Sequence, residues 1–235
     1  MPVTEPLAAV LIPGLLASAR LYAEQIPALW RTGAVTVADH TRDDSMPAIA
    51  RRILAGAPPR FALVGLSMGG YIAFEILRQA PERVVKLALL DTSARADTPV
   101  QSAARREHMA LASGGRLEEV VDAIFARAVH ATRRADAELR AINRLMAEDV
   151  GSAAFLRQQT AIMGRSDSRP TLGSIRAPTL VLVGEGDEIT PPALAAEIAQ
   201  GIPAARLVSV PLCGHLSTLE RPREVTTALL AWLQA

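Results

Sequence analysis

The sequence has one cysteine, Cys213, among its 235 residues, which excludes an intramolecular disulfide framework and a cysteine-based metal site. It also lacks an excess of either charge, since 25 basic and 24 acidic residues give a net charge of +1, so no overall field favours a nucleic acid or a membrane. No apolar run is long enough to cross a bilayer, and residues 1–6 lack the basic and apolar segments of a signal peptide. We therefore expect a cytoplasmic monomer or homodimer that acts on a small molecule, with no nucleic-acid or membrane partner.

Short aliphatic runs alternate with longer helical patterns along most of the chain, in which half of the residues are hydrophobic. Continuous runs of Val, Leu and Ala are typical of strands that are buried on both sides. The sequence therefore predicts an α/β fold with a mostly parallel central sheet and helices on both faces. The predicted strands are Ala8–Ile12, Val35–Ala38, Phe61–Val64, Lys86–Leu90, Thr179–Val183 and Leu207–Val210. The predicted helices between and after them are Leu21–Leu29, Pro47–Ala55, Met68–Gln79, Pro192–Gln200 and Arg223–Leu233.

Residues 95–168 interrupt this alternation, because they contain helical patterns and no strand run. A segment of this length between two strands of one sheet must pack over an edge or a face of that sheet. We therefore predict a helical cap at 95–168, inserted before the strand that precedes Asp187, and an α/β core made of residues 1–94 and 169–235. The predicted cap helices are Val100–Ala112, Leu117–Ala128, Ala135–Ala147 and Ser152–Met163.

The most informative motif is Gly65-Leu66-Ser67-Met68-Gly69, which follows an apolar strand and opens an apolar helix. A serine at the tip of such a tight turn needs a strained backbone. The residues two before and two after it must then lie too close together for side chains, which suits glycine. The helix that follows directs its N-terminal N–H groups to the place where negative charge would develop. We therefore predict that Ser67 is a catalytic nucleophile.

Two further polar residues follow late strands of the predicted sheet. Asp187 comes after a glycine-rich turn that ends one strand, and His215 comes shortly after the next. Ligands bind at the carboxyl ends of strands in open α/β sheets, where Ser67 also lies. A neutral imidazole can take the serine proton, and a carboxylate can hold the imidazole tautomer and stabilise the imidazolium. The order Ser67, Asp187, His215 is the one expected for a nucleophile elbow on a sheet of this kind.

Other residues compete for the roles of base and acid. Of the four histidines only His215 follows a late strand, which favours it as the base. Asp91 also ends a strand, and it remains the reserve candidate for the acid. The other competitors are His40, His108 and His130 for the base, and Glu185 and Glu188 for the acid.

With these residues in place, the chain resembles the α/β-hydrolase superfamily over almost its full length. The resemblance lies in Gly65-Leu66-Ser67-Met68-Gly69-Gly70, in the block Pro178–Asp187 and in Gly214-His215. It implies a central, mainly parallel sheet of eight strands. It also disfavours haloalkane dehalogenases and epoxide hydrolases of this fold, which use aspartate where Ser67 stands.

The resemblance further implies an oxyanion hole built from two backbone N–H groups, those of Leu15 and Met68. Many relatives carry His-Gly after the first strand, whereas this chain has Pro13-Gly14. Because backbone donors need no particular side chain, we expect the site to survive this change. The turn signal Pro-Gly alone is equally typical of an ordinary loop.

The substrate is expected between the triad edge and the cap. Met often fills irregular gaps, so the apolar candidates for this pocket could equally be helix–helix core. The sequence favours a small or medium carboxylic ester or lactone, and predicts no cofactor and no metal. C–C bond hydrolysis or perhydrolysis by the same residues, and a hydrolase-like ligand receptor with slow turnover, remain alternatives. The candidate substrate-binding residues are Leu16, Phe125, Met146, Phe155, Met163 and Leu216.

Overall fold

A computed structural model describes residues 6–235 of the chain. Six strands form one sheet in the order β2-β1-β3-β4-β5-β6, and every neighbouring pair is parallel. The strands are β1 (Ala9–Ile12), β2 (Val35–Val37), β3 (Phe61–Leu66), β4 (Val84–Leu90), β5 (Thr179–Gly184) and β6 (Arg206–Val210). The helices are α1 (Ile26–Leu29), α2 (Met46–Gly56), α3 (Met68–Gln79), α4 (Pro99–Ser113), α5 (Leu117–Ala128), α6 (Ala137–Met163), α7 (Pro192–Gly201), α8 (Ser217–Glu220) and α9 (Pro222–Gln234).

Both faces of the sheet are buried under helices. Successive side chains of a strand point to opposite faces, so β1 and β3 contribute to two separate clusters. Val10 and Leu63 pack with residues of α2, α3 and α7 on one face. Leu11 and Val64 pack with residues of α1 and α9 on the other. The predicted α/β fold with helices on both faces is confirmed.

The six strands predicted from the sequence are all present, within two residues at either end. The expectation of eight strands is wrong for residues 6–235, because only residues 6–8 precede β1 there and no further strand pairs with β2. The predicted helix Leu21–Leu29 is wrong as one element: a 3₁₀ turn at Ala19–Tyr22 is followed by the separate helix α1. Pro27 explains the break, since proline in a helix interior clashes with the preceding turn.

The segment between β4 and β5 contains α4, α5 and α6, which pack on one another around a small apolar cluster that includes Val120 and Phe155. The sequence predicted two helices where α6 runs. Gly151, with φ 75° and ψ 164°, has a non-helical backbone inside α6 and separates its two halves at the predicted place. In the part of the chain that the structure describes, no helix combines the length and the apolar character needed to span a membrane.

Candidate active site

The carboxyl ends of β3 to β6 meet at one edge of the sheet, and the candidate residues follow them. Ser67 follows β3, Asp91 follows β4, Asp187 lies three residues after β5, and His215 lies in the loop after β6. The sheet bonding continues to this edge, as the N–H of Ser67 donates to the carbonyl of Leu90 at 2.9 Å. The structure therefore brings the three residues predicted for catalysis to one side of the molecule.

Ser67 occupies a strained turn between β3 and α3. Its φ of 56° and ψ of −115° are unusual for a residue with a side chain. A Cβ added to Gly65 would overlap the Gly69 carbonyl, and one added to Gly69 would overlap the Ile12 carbonyl. The serine is half-buried, and its hydroxyl makes no hydrogen bond to any residue between 6 and 235. The turn thus presents a free hydroxyl at the N-terminus of α3.

Asp187 and His215 form a buried pair. Oδ2 of Asp187 lies 2.7 Å from Nδ1 of His215, and the two residues are 3% and 5% exposed. Burial opposes ionisation of both, but their charges and mutual hydrogen bond outweigh it. The pKa of Asp187 is therefore lowered and the pKa of His215 is raised. Because Nδ1 donates to the carboxylate, the lone pair of the neutral ring lies on Nε2, which can accept a proton.

The turn after Asp187 supplies three further donors to the carboxylate. The N–H groups of Ile189 and Thr190 donate to Oδ1 at 2.8 and 2.9 Å, and the Thr190 hydroxyl donates to Oδ2 at 2.7 Å. The same hydroxyl oxygen lies 3.2 Å from Nδ1 of His215. Thr190 is not among the residues predicted from the sequence, although Asp187 followed by a turn is a recognisable Asx-turn signal.

Asp91, the reserve candidate for the acid, points to other partners. Its Oδ1 accepts the N–H of Gly184 at 2.9 Å, and its Oδ2 lies 2.5 Å from the hydroxyl of Ser217. Complete burial, with the nearby charge of Asp187, raises the pKa of Asp91 to about 8. Burial therefore favours the protonated form of Asp91, and no hydrogen bond joins it to His215 in the described chain.

The loop that carries His215 is fixed by the end of α5. The N–H of His215 donates to the carbonyl of Ala128 at 2.7 Å. Glu220, which is 3% exposed, accepts the N–H of Gly214 at 3.0 Å and the N–H of His130 at 2.8 Å. Burial raises the pKa of Glu220. One carboxyl group thus joins the helical insertion to the histidine loop, a contact that no sequence motif indicated.

The turn after β1 lies against the Ser67 turn. A Cβ built on Gly14 would be 3.3 Å from Cβ of Ser67. The N–H groups of Leu15 and Met68, the two predicted oxyanion donors, make no hydrogen bond to residues 6–235. Met68 is the first residue of α3, so its N–H cannot be bonded within the helix. Both N–H groups are thus unpaired within the described residues, and their role as oxyanion donors stays a prediction.

Five of the six residues predicted to line a substrate pocket are distributed over two apolar clusters. Phe125, Met146 and Leu216 pack in the cluster on the α1 and α9 face of the sheet. Leu16 and Phe155 belong to the small cluster among α4, α5 and α6. Met163 is half-buried and lies outside both. Their role in substrate binding stays a prediction.

The residues described by the structure contain no group of three or more His, Cys, Asp or Glu side chains that could hold a metal ion.

Two of the histidines that competed with His215 for the role of base lie in or next to the helical insertion. His108 lies within α4, and His130 lies between α5 and a 3₁₀ turn. Nδ1 of the His130 imidazole lies 2.8 Å from the hydroxyl oxygen of Thr132.

Comparisons with known proteins agree with this architecture. The sequence model of the alpha/beta hydrolase fold matches residues 10–222. The chain is 33% identical over 178 residues to BpoC of Mycobacterium tuberculosis, which carries a non-heme bromoperoxidase name; the match covers 74% of this chain and 67% of that protein. It is 29% identical to a pimeloyl-[acyl-carrier protein] methyl ester esterase of Nitrosomonas europaea, with 77% and 74% covered.

Among solved structures, a thermophilic esterase from Thermogutta terrifontis superposes with a TM-score of 0.89 at 28% identity, covering 97% of this chain and 89% of that one. The described residues therefore adopt the alpha/beta hydrolase fold.

Proposed function

Because the chain belongs to the alpha/beta hydrolase family, we propose that it is a serine hydrolase that cleaves a small or medium carboxylic ester or lactone through an acyl-enzyme on Ser67. The observation that carries the proposal is the buried hydrogen bond of 2.7 Å between Asp187 and His215, at the sheet edge where the strained turn presents Ser67. This pairing leaves Nε2 of the imidazole available to a nucleophile.

In this reaction Nε2 of His215 takes the proton of the Ser67 hydroxyl as its oxygen attacks the ester carbonyl. The N–H groups of Leu15 and Met68 bind the oxyanion of the tetrahedral intermediate. His215 then gives its proton to the leaving alcohol. A water molecule, activated by the same imidazole, attacks the acyl-enzyme and releases the carboxylic acid. Asp187 keeps the hydrogen on Nδ1 and stabilises the imidazolium.

Residues 95–168 act in this proposal as a cap on the core formed by 1–94 and 169–235. Support comes from the hydrogen bond between Ala128 at the end of α5 and His215, which places the insertion against the histidine loop. The acyl group would then lie beside the apolar side chains predicted to line the pocket. The Thermogutta esterase and the Nitrosomonas methyl ester esterase are 28% and 29% identical to this chain, and their names favour esters as the substrate class.

The test is hydrolysis of p-nitrophenyl esters graded from acetyl to decanoyl, beside an acyl-homoserine lactone, by wild type and Ser67→Ala. We expect turnover by wild type and a loss of ~10³-fold or more in Ser67→Ala, since only binding and the oxyanion hole would remain. Ser113→Ala, at the exposed end of α4, is the matched control. Turnover that survives Ser67→Ala would contradict the proposal, and no turnover by folded wild type would favour C–C bond hydrolysis or the receptor alternative.

Perhydrolysis is the second candidate, because BpoC is 33% identical and carries a bromoperoxidase name. Hydrogen peroxide would then replace water in the attack on the acyl-enzyme and release a peracid. Peracid formation from p-nitrophenyl acetate and hydrogen peroxide, absent in Ser67→Ala, would support this route. Acetic acid as the only acyl product would exclude perhydrolysis.

A further inference from the structure

His40, three residues after β2, reaches the turn after β1. It is 2% exposed, and its Nε2 lies 2.9 Å from the carbonyl oxygen of Gly14. A carbonyl oxygen can only accept a hydrogen bond, so Nε2 must carry a hydrogen. Burial lowers the pKa of His40, which favours the neutral ring, and the contact with the Gly14 carbonyl assigns the ring hydrogen to Nε2.

The hydrogen bond acts on one particular peptide group. The carbonyl of Gly14 and the N–H of Leu15 belong to the same planar unit, and in a trans peptide they point in opposite directions. The two donors to the Gly14 oxygen, Nε2 of His40 and the N–H of Ala17 at 3.2 Å, therefore also set the direction of the Leu15 N–H, and His40 is the closer of the two. It polarises that N–H as well, because hydrogen bonds in a chain strengthen one another.

The next amide of the turn is held separately. The N–H of Leu16 donates to Oε1 of Gln158 at 3.2 Å, and Leu16 has a φ of 56°. Gln158 is completely buried, and its amide nitrogen lies 3.2 Å from Nε2 of His40. Both of these nitrogens carry hydrogens, so we regard this approach as packing and not as a hydrogen bond. Hydrogen bonds therefore hold the Gly14 carbonyl before Leu15 and the Leu16 N–H after it. The N–H of Leu15 itself has no partner within residues 6–235.

We propose that His40 is a positioning residue that aims the Leu15 N–H at the oxyanion, with Gln158 fixing the following amide. The inference rests on the proposed function, because it assigns a role to the oxyanion donor of that reaction. It adds a histidine that never touches the substrate and acts through the Gly14–Leu15 peptide.

The test compares His40→Leu with His40→Gln. Leucine removes the donor, whereas the glutamine amide can donate to the Gly14 carbonyl from nearly the same place. We expect His40→Leu to lower kcat by ~10–10²-fold with little change in KM, since loss of a whole oxyanion donor costs ~10²–10³-fold. His40→Gln should recover most of that loss. Ile198→Val, at a buried position of α7, which packs on β5 and β6, controls for a general loss of stability.

Binding of a transition-state analogue distinguishes a misdirected Leu15 N–H from a general loss of structure in His40→Leu. A trifluoromethyl ketone forms a tetrahedral oxyanion with the nucleophilic serine, so its Ki should rise in His40→Leu by the same factor as kcat/KM falls. A Ki that stays at the wild-type value while kcat falls would overturn the inference, as would His40→Gln behaving like His40→Leu. Unchanged kcat in His40→Leu would overturn it too.

A second measurement needs no variant. Long-range ¹H–¹⁵N correlation spectra of the imidazole in wild type should show the neutral tautomer with hydrogen on Nε2 of His40. Hydrogen on Nδ1 alone would overturn the inference even if His40→Leu failed to fold. Failure of the proposed function gives a different result. Ester turnover would then survive Ser67→Ala, while the spectra would still show the His40 hydrogen on Nε2.

Discussion

The carboxylate of Asp187 lies 2.7 Å from Nδ1 of His215, and both residues are buried. The second carboxyl group near the histidine, that of Asp91, bonds instead to Gly184 and Ser217. Two acids that follow neighbouring strands therefore have different partners, and their pKa values are shifted in opposite directions. Asp187 is the one placed to orient the imidazole.

The first prediction concerns these two acids. Asp187→Asn should lower kcat by ~10²–10⁴-fold, because the amide would favour the wrong imidazole tautomer. Asp91→Asn should be mild near pH 7, since an amide resembles the protonated carboxyl that burial favours there. Steady-state ester hydrolysis by both folded variants checks this. A severe loss in Asp91→Asn with a mild one in Asp187→Asn would exchange their roles.

The second prediction is the acid limb of the pH profile. Burial alone would lower the pKa of His215, but the charge and hydrogen bond of Asp187 raise it above its usual range. The base must be neutral, so kcat/KM should rise with pH through a pKa above the ordinary histidine value and fall tenfold per unit below it. In Asp187→Asn the residual activity should show this limb at lower pH. If the acid limb had the same pKa in Asp187→Asn as in wild type, a group other than His215 would control it.

The third prediction tests the glycine at the start of the Ser67 turn. A Cβ on Gly65 would overlap backbone atoms of Gly69, so Gly65→Ala should lower the free energy of unfolding by about 1–3 kcal/mol and reduce kcat. Gly56→Ala is the matched control, because nothing lies within 4 Å of a Cβ there. It should be neutral or stabilise the protein by about 0.4–1 kcal/mol. Denaturant unfolding of both variants decides, and equal stabilities would refute the account of the turn.

The fourth prediction concerns the contact between α5 and the histidine loop. Glu220→Gln leaves one oxygen for two N–H groups, those of Gly214 and His130, so about 1–3 kcal/mol of stability should be lost. A looser His215 should also lower kcat, by up to ~10²-fold. Glu224→Gln, exposed on α9, should change neither. If Glu220→Gln unfolded at the wild-type denaturant concentration with wild-type kcat, this contact would have no role in holding the loop.

Local patterns made much of the fold predictable. Strands β1, β3 and β5 are short apolar runs that are buried throughout, and the Ser67 turn needs glycines at fixed offsets, so these features can be recognised from adjacent residues. The break at Leu21–Leu29 was also readable, because Pro27 was visible in the sequence.

The supporting contacts were not predictable, because they join residues distant in the chain. Gln158 meets Leu16 across 142 positions and His40 across 118. His40 looked like an ordinary loop residue, since nothing near it in sequence shows that it faces the Gly14 carbonyl. The choice between Asp187 and Asp91 likewise depends on which groups surround each carboxyl, and both simply follow strands in the sequence.

The central claim, an acyl-enzyme on Ser67, is tested most directly by mass spectrometry. Wild type mixed with p-nitrophenyl butyrate and quenched in acid within the first turnover should gain one butyryl group. After proteolysis that group should lie on the peptide that contains Ser67, and Ser67→Ala should gain none. Ester turnover with no adduct, or an adduct on a different residue, would contradict the account.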